Sequence, residues 1–187
     1  MSWALWISGP PGSGKTAISR SAAALLRERG EPVTLLELDA VRQSLTPEPK
    51  YTDVERELVY RALCYMAAQL VEAGVPVIVD ATAHRRVWRD AARAVIPRFA
   101  EVQLLCPLEV CQERERTRAR GNAPQGIYAR AGRPGATVPG VDVPYEPALS
   151  PELVIDTTVD DVPSAAAKVA ALAGKLARSV AERARAS

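Results

Sequence analysis

The chain has 187 residues, 48% of them hydrophobic and 25% charged, a make-up that fits one soluble globular domain with a single sizeable core. A net charge of +2 gives no global basic field for nucleic acid or a membrane surface, and no apolar run reaches the roughly 18 residues needed to cross a bilayer. One histidine, His84, and three cysteines without ligand spacing, Cys64, Cys106 and Cys111, exclude a multi-histidine metal centre and predict small core thiols in a reducing cytosol.

Trp3 to Ser8 is a short apolar run that reads as a buried strand; with no charged n-region or cleavage site it is not a signal peptide. A helix is expected from Lys15 to about Glu28, with Ile18, Ala22, Leu25 and Leu26 inward and Gly30 ending it. Val33 to Leu38 is a second strand. Asp53 to Ala73 is a long helix with Val54, Leu58, Ala62 and Met66 at helical spacing, capped by Gly74. Val75 to Asp80 is a third strand, with Pro76 at its tolerant beginning. Helix follows from Arg85 to Val95, a fourth strand from Val102 to Cys106, and a helix from near Leu108. Residues 118–151 are rich in Gly, Pro and Arg without a sustained period, too long for an inert connection, and read as a lid. Leu153 to Ile155 is a fifth strand. A last helix from near Asp161 turns Val162, Val169, Leu172 and Leu176 inward and frays over about 181–187. Strands alternating with helices predict a single α/β domain over 1–187: a five-stranded, mostly parallel sheet with helices on both faces and a P-loop NTPase fold.

Gly9-Pro10-Pro11-Gly12-Ser13-Gly14-Lys15-Thr16 sits between a strand and a helix, the setting a phosphate-binding loop requires. Its backbone N–H groups converge on phosphate oxygens, and the helix behind it presents its positive end. Lys15 is assigned to the β- and γ-phosphates of ATP and the Thr16 hydroxyl to Mg²⁺. Asp39 and Asp80 end strands, where ligands bind in open α/β sheets. Either suits the metal, and Asp39 also suits proton acceptance from an acceptor hydroxyl; capping of the next helix is the alternative for each. Arginines crowd the lid and its approach: Arg114, Arg116, Arg118, Arg120, Arg130 and Arg133. One or two of them are expected to touch ligand, the rest being a solvated face. Arg42 and Arg56 suit an anionic small-molecule substrate on the acceptor side, or are surface arginines.

These residues resemble adenylylsulfate kinase, which phosphorylates the ribose 3′-hydroxyl of adenosine 5′-phosphosulfate (APS). The resemblance runs from the P-loop to about Thr157. It rests on Asp39-Ala40-Val41-Arg42, on Tyr51-Thr52-x-x-Glu55-Arg56, and on Phe99-Ala100-Glu101-Val102 leading to Pro107-Leu108-Glu109-Val110-Cys111. Gly126-Ile127-Tyr128-Ala129-Arg130-Ala131, Pro139-Gly140-Val141-Asp142 and Pro144-Tyr145-Glu146 resemble that family's lid. The resemblance implies that Asp39 is the metal-linked catalytic carboxylate, beside Lys15. It implies that Arg42 and Arg56 hold the phosphosulfate, that Tyr51 stacks on the substrate adenine with Gly126 and Ile127 close by, and that Arg114 lies against the adenine of ATP. It also implies a cytoplasmic, Mg²⁺-ATP-using homodimer.

The departures concentrate on the acceptor side. The family's Asp-Gly-Asp is Glu37-Leu38-Asp39, a substrate-holding asparagine is Val59, its Ile-Ser-Pro-Tyr is replaced by Thr82-Ala83-His84-Arg85, and the lysine before Gly-Leu-Tyr is Gln125. Losing one polar contact to a buried substrate group costs about 1–3 kcal/mol, enough to change preference. A kinase of the same build with a different small hydroxyl acceptor, a nucleotide conjugate or a specialised metabolite, therefore stays open, as does a nucleotide-binding homologue without transfer activity. His84 is either a contact for such an acceptor or a partly exposed loop residue.

Overall fold

The computed structural model describes residues 2–117 and 126–185. In chain order the elements are β1 (Ala4–Ser8), α1 (Lys15–Glu28), β2 (Thr34–Glu37), α2 (Leu38–Leu45), α3 (Asp53–Glu72) and β3 (Val77–Asp80). They continue with α4 (Arg86–Val95), β4 (Phe99–Leu105), α5 (Leu108–Thr117), a 3₁₀ turn (Tyr128–Arg130), β5 (Leu153–Asp156) and α6 (Val162–Arg185). The sheet runs in the order β2-β3-β1-β4-β5, and every pairing is parallel.

Alternation along β1 builds two cores. Leu5 and Ile7 face α1 and α6, meeting Ile18, Ala22, Leu26, Val169 and Ala173. Ala4 and Trp6 face α3 and α4, meeting Val59, Leu63, Trp88 and Ile96. The strand is buried on both faces, as parallel sheets require, which is why it reads as an unbroken apolar run. The chain order reverses at β1, with β3 on one side and β4 on the other, so a crevice opens at the carboxyl ends of these strands. Register places Ile7 and Glu37 on either side of Asp80, bringing the end of β3 beside the phosphate loop.

Several elements differ from the sequence expectation. On α3, Val54 and Leu58 are 82% and 60% exposed, and the buried row is Val59, Leu63, Ala67 and Val71. Both rows are apolar at i, i+4 spacing, so periodicity alone cannot choose; the sheet takes the row that also carries Arg56 and Tyr60 toward the crevice. Leu38 leaves the strand and opens α2, a helix that the sequence pattern did not reveal. Val162 is exposed, and α6 packs instead through Ala165, Ala166, Ala170 and Ala173, small residues that let it approach α1 closely. That helix also continues to Arg185, past the start of the expected fraying. The first part of the expected lid, residues 118–125 with Arg118 and Arg120, lies outside the described residues.

Candidate active site

The phosphate loop is shaped by two glycines. Gly14 caps α1 in the left-handed region at φ 96°, and Gly12, at φ 79°, lies so close to α5 that a Cβ would fall 2.2 Å from the carbonyl oxygen of Cys111. Lys15 Nζ donates to the Pro10 carbonyl at 2.9 Å, folding its ammonium over the loop. No acidic residue occupies the first turn of α1, so the positive helix end is left for an anion.

Asp80 is buried beside this loop. Burial raises its pKa, opposed by the charge of Lys15 and by a hydrogen bond from the Thr16 hydroxyl. Asp39 stands in the first turn of α2, which leaves β2 with no intervening loop, and faces the same cavity. Thr16, Asp39 and Asp80 offer only oxygen donors, the set that suits Mg²⁺, which takes one or two carboxylates and leaves its other positions to phosphate and water.

One cavity of about 480 Å³ joins these groups to the acceptor side. From the phosphate loop it passes Leu38 and Asp39 to Arg42, Tyr51, Arg56, Tyr60 and His84, and it is roofed by Ile127, Arg130 and residues 135–139. Here the arginines are not surface residues: Arg42 and Arg56 are both buried. Arg42 donates to Glu55 at 2.7 Å and lies 5.0 Å over the Tyr51 ring. The same Glu55 carboxylate accepts the backbone N–H of Lys50 and of Tyr51, at 2.6 and 3.2 Å, which holds Tyr51 at a positive φ of 56°. Thr52 caps α3 by accepting the Glu55 N–H, so one carboxylate ties the helix start to the Tyr51 turn. Arg56 is spread over three partners: Nε donates to the Tyr51 carbonyl, Nη2 to the carbonyl and hydroxyl of Thr137, and Nη1 to His84 Nδ1.

His84 is buried, so the reading of a partly exposed loop residue is overturned. Burial first, then the charges of Arg56 and Arg85, hold its imidazole down at about 4. Its loop is built on a buried ion pair: Arg89 on α4 meets Glu101 on β4 at 2.6 Å and also donates to the carbonyls of Ala83 and Glu146. Val59, by contrast, sits in the apolar core behind α3 and does not line the cavity.

The lid segment is folded onto the site. The Tyr128 hydroxyl donates to the Pro11 carbonyl at 2.7 Å, and the Glu115 carboxylate accepts the backbone N–H of Gly126 and Ile127. Ile127 lines the cavity; Gly126 serves as the tie to Glu115 and stays behind it. Of the lid arginines, Arg114 and Arg130 reach the cavity, with Arg114 clamped to Thr157, whereas Arg116 pairs with Glu113 in solvent. Tyr60 and Thr137 also line the site and were not read from the sequence. Tyr60 stands one helical turn past Arg56, a spacing that signals it, whereas Thr137 lies in an irregular stretch with no signal.

A phosphate loop at a helix start, an acidic strand end bonded to its threonine and a lid over one shared cavity define a P-loop phosphotransferase. The family profile of adenylylsulphate kinase matches residues 1–156, and the chain belongs to that family of ATP-dependent kinases. A probable adenylyl-sulfate kinase of Archaeoglobus fulgidus is 37% identical over 164 residues, covering 86% of this chain and 99% of that one. An adenylyl-sulfate kinase of a Synechococcus strain is 37% identical over 161 residues, 85% of this chain and 87% of its own. The Mycobacterium tuberculosis APS kinase solved with AMPPNP and APS superposes with a TM-score of 0.78 at 27% identity, covering 91% of this chain and 96% of that one. Among the described residues no helix is long and apolar enough to cross a membrane.

Proposed function

We propose that the protein transfers the γ-phosphoryl group of ATP to the 3′-hydroxyl of adenosine 5′-phosphosulfate. The observation that carries this reading is the continuous cavity running from Lys15 and Thr16 to Arg42, Tyr51 and Arg56. Residues 9–16 wrap the donor phosphates, and Lys15 exchanges its Pro10 carbonyl for phosphate oxygens. Arg114, held by Thr157, offers its guanidinium plane to the donor base. Thr16, Asp80 and Asp39 would hold Mg²⁺, which when bound would neutralise phosphate charge.

On the acceptor side, Tyr51 presents the ring face opposite Arg42 to the substrate base, and Arg42 and Arg56 supply positive charge to its anionic end. Asp39 accepts the proton of the attacking hydroxyl. The folded lid excludes water, so that phosphoryl passes to the acceptor and not to solvent. Most of the rate then comes from positioning and charge. We further place the protein in the cytoplasm as a homodimer of single-domain chains.

A second acceptor is favoured by one feature: the charge of Arg42 is already matched by Glu55, which suits a substrate with less negative charge than a phosphosulfate. Incubation with Mg²⁺-ATP and APS, followed by product identification, tests the primary reading. Formation of 3′-phosphorylated APS is expected; ATP binding without APS turnover refutes it. ADP release across a panel of hydroxyl acceptors then identifies the alternative.

A further inference from the structure

His84 stands where the chain departs from its family's pattern, and its setting is unusually determined. Its loop is pinned from three sides. The Ala83 N–H donates to the Tyr60 hydroxyl at 2.8 Å, the Ala83 carbonyl is held by Arg89, and the His84 carbonyl accepts the Glu146 N–H at 2.7 Å. Ala83 adopts a positive φ of 40°, a strained conformation for a residue with a Cβ, and these bonds sustain it. The imidazole meets the Trp88 ring edge-on, with centroids 5.1 Å apart, and Trp88 is stacked on Tyr60 at 4.1 Å. The side chain therefore has little freedom.

Its tautomer follows from its neighbour. Arg56 Nη1 lies 3.3 Å from His84 Nδ1, and a guanidinium can only donate. Nδ1 is then the acceptor, and the single ring proton is on Nε2. Among the described residues no hydrogen bond involves Nε2, while the residue lines the cavity beside Arg56 and Thr137. Meanwhile every nitrogen of Arg56 already has a protein partner. The guanidinium is thus poorly placed to grip a substrate alone, yet well placed to polarise the ring it touches.

We propose that His84 is a specificity-determining contact: its Nε2–H donates to an anionic oxygen of the acceptor, and Arg56 acts on the substrate through it. The neutral ring makes this a directional donor and not a second cation. The charge it conveys belongs to Arg56, buried among Tyr51, Thr137 and His84. The low imidazole pKa agrees, since the ring stays neutral through the ordinary working range. The proposal rests on APS being the acceptor.

His84 is the chain's one histidine, so every histidine ring signal in a ¹⁵N spectrum belongs to it. The free protein is expected to show the Nε2–H tautomer, and addition of APS with Mg²⁺-ADP should shift Nε2 while Nδ1 moves little. In parallel, His84→Phe keeps an aromatic edge on Trp88 and removes both nitrogens. It should raise the APS KM about 10- to 100-fold, the usual loss for a hydrogen bond to a charged group, with kcat within about threefold and the ATP KM unchanged. His84→Gln, whose amide nitrogen reaches the position of Nε2 and can donate there, should recover part of that loss. An Nδ1–H tautomer, an unmoved Nε2 in a complex that calorimetry shows to have bound APS, or an unchanged APS KM in His84→Phe overturns the role of His84 and leaves the APS reading standing. Absence of APS turnover by the unaltered protein removes the substrate reading, and this proposal with it.

Discussion

Replacing Arg89 with methionine tests how the acceptor loop is held. The guanidinium is 0% exposed, and it meets Glu101 at 2.6 Å while donating to the carbonyls of Ala83 and Glu146. Methionine keeps much of the side-chain volume but leaves Glu101 charged in a site that stays closed to water. Among the described residues its other hydrogen-bond partner is the Ser8 hydroxyl, at 3.0 Å. Breaking a buried pair in this way costs about 3–5 kcal/mol. In a chain of this size that lowers Tm by about 6–20 °C. Replacing both partners, Arg89→Met with Glu101→Leu, removes the stranded charge, so the double variant should be at least about 1 kcal/mol more stable than the two single losses added together. Activity separates the two halves of the site. With Arg89 gone the strained Ala83 relaxes and His84 moves, so the APS KM should rise at least about tenfold, a shift of about 1.4 kcal/mol, while the ATP KM changes little. Urea unfolding and steady-state kinetics supply both readouts. A loss below about 1 kcal/mol, or equal changes in the two KM values, would show that the pair supports neither the loop nor the acceptor side.

Asp39→Asn should lower kcat about 100-fold or more while ATP binding by calorimetry stays intact, as befits removal of a proton acceptor; an unaltered kcat would take Asp39 out of the chemistry. Tyr128→Phe deletes the hydrogen bond that ties the lid to Pro11, worth about 1 kcal/mol, and should raise ATP hydrolysis in the absence of acceptor several-fold; an unchanged rate would mean that the lid is held elsewhere. Stability should also depend on pH through His84. Its folded pKa, about 4, lies below its ordinary 6.5, so the unfolded chain takes up the proton first as pH falls through 6.5, and the loss is complete near 4. The shift corresponds to at most about 3 kcal/mol, and to about 1–2 kcal/mol after solvent screening. Urea unfolding between about pH 7.5 and 4.5 should therefore cost the wild type that much more than His84→Asn, which shares the other titrating groups; equal losses would refute the neutral buried ring.

What could be read in advance was local. Residues 9–16 carry the phosphate loop in consecutive positions, and β1 announces itself because both faces of one short strand are apolar. The order of strands and helices follows from the same alternation. The choice of face on α3 did not, because Val54-Leu58-Ala62-Met66 and Val59-Leu63-Ala67-Val71 are equally apolar rows and only the sheet distinguishes them. Arg89 and Glu101 look like surface charges on a helix and a strand; what buries them is a partner twelve residues away in sequence and two carbonyls on separate loops. His84 was recognisable as a departure from the family pattern but not as a buried group. Its burial depends on Trp88, Arg56 and the returning chain at Glu146, none of which a periodic pattern encodes.

The two halves of the site are therefore specified differently, and this bears on how the acceptor can change. On the proposed reading, the donor phosphates are held chiefly by one contiguous loop, residues 9–16, at the start of α1. The proposed acceptor pocket is assembled from α2, α3, the loop after β3 and the lid, joined by Glu55, Arg56 and Arg89. None of these joints lies within the phosphate loop. Next to that loop stands Ser8, the last residue of β1, whose hydroxyl donates to the Glu101 carboxylate paired with Arg89. From Ser8 through Glu101 and Arg89 to Ala83 runs one buried chain of charge-assisted bonds, and it ends on the residue before His84. That chain is a continuous bonded route from the end of β1 to the loop that carries His84. Acceptor preference can diverge within this fold as long as that route still holds His84, or whatever replaces it, against Arg56.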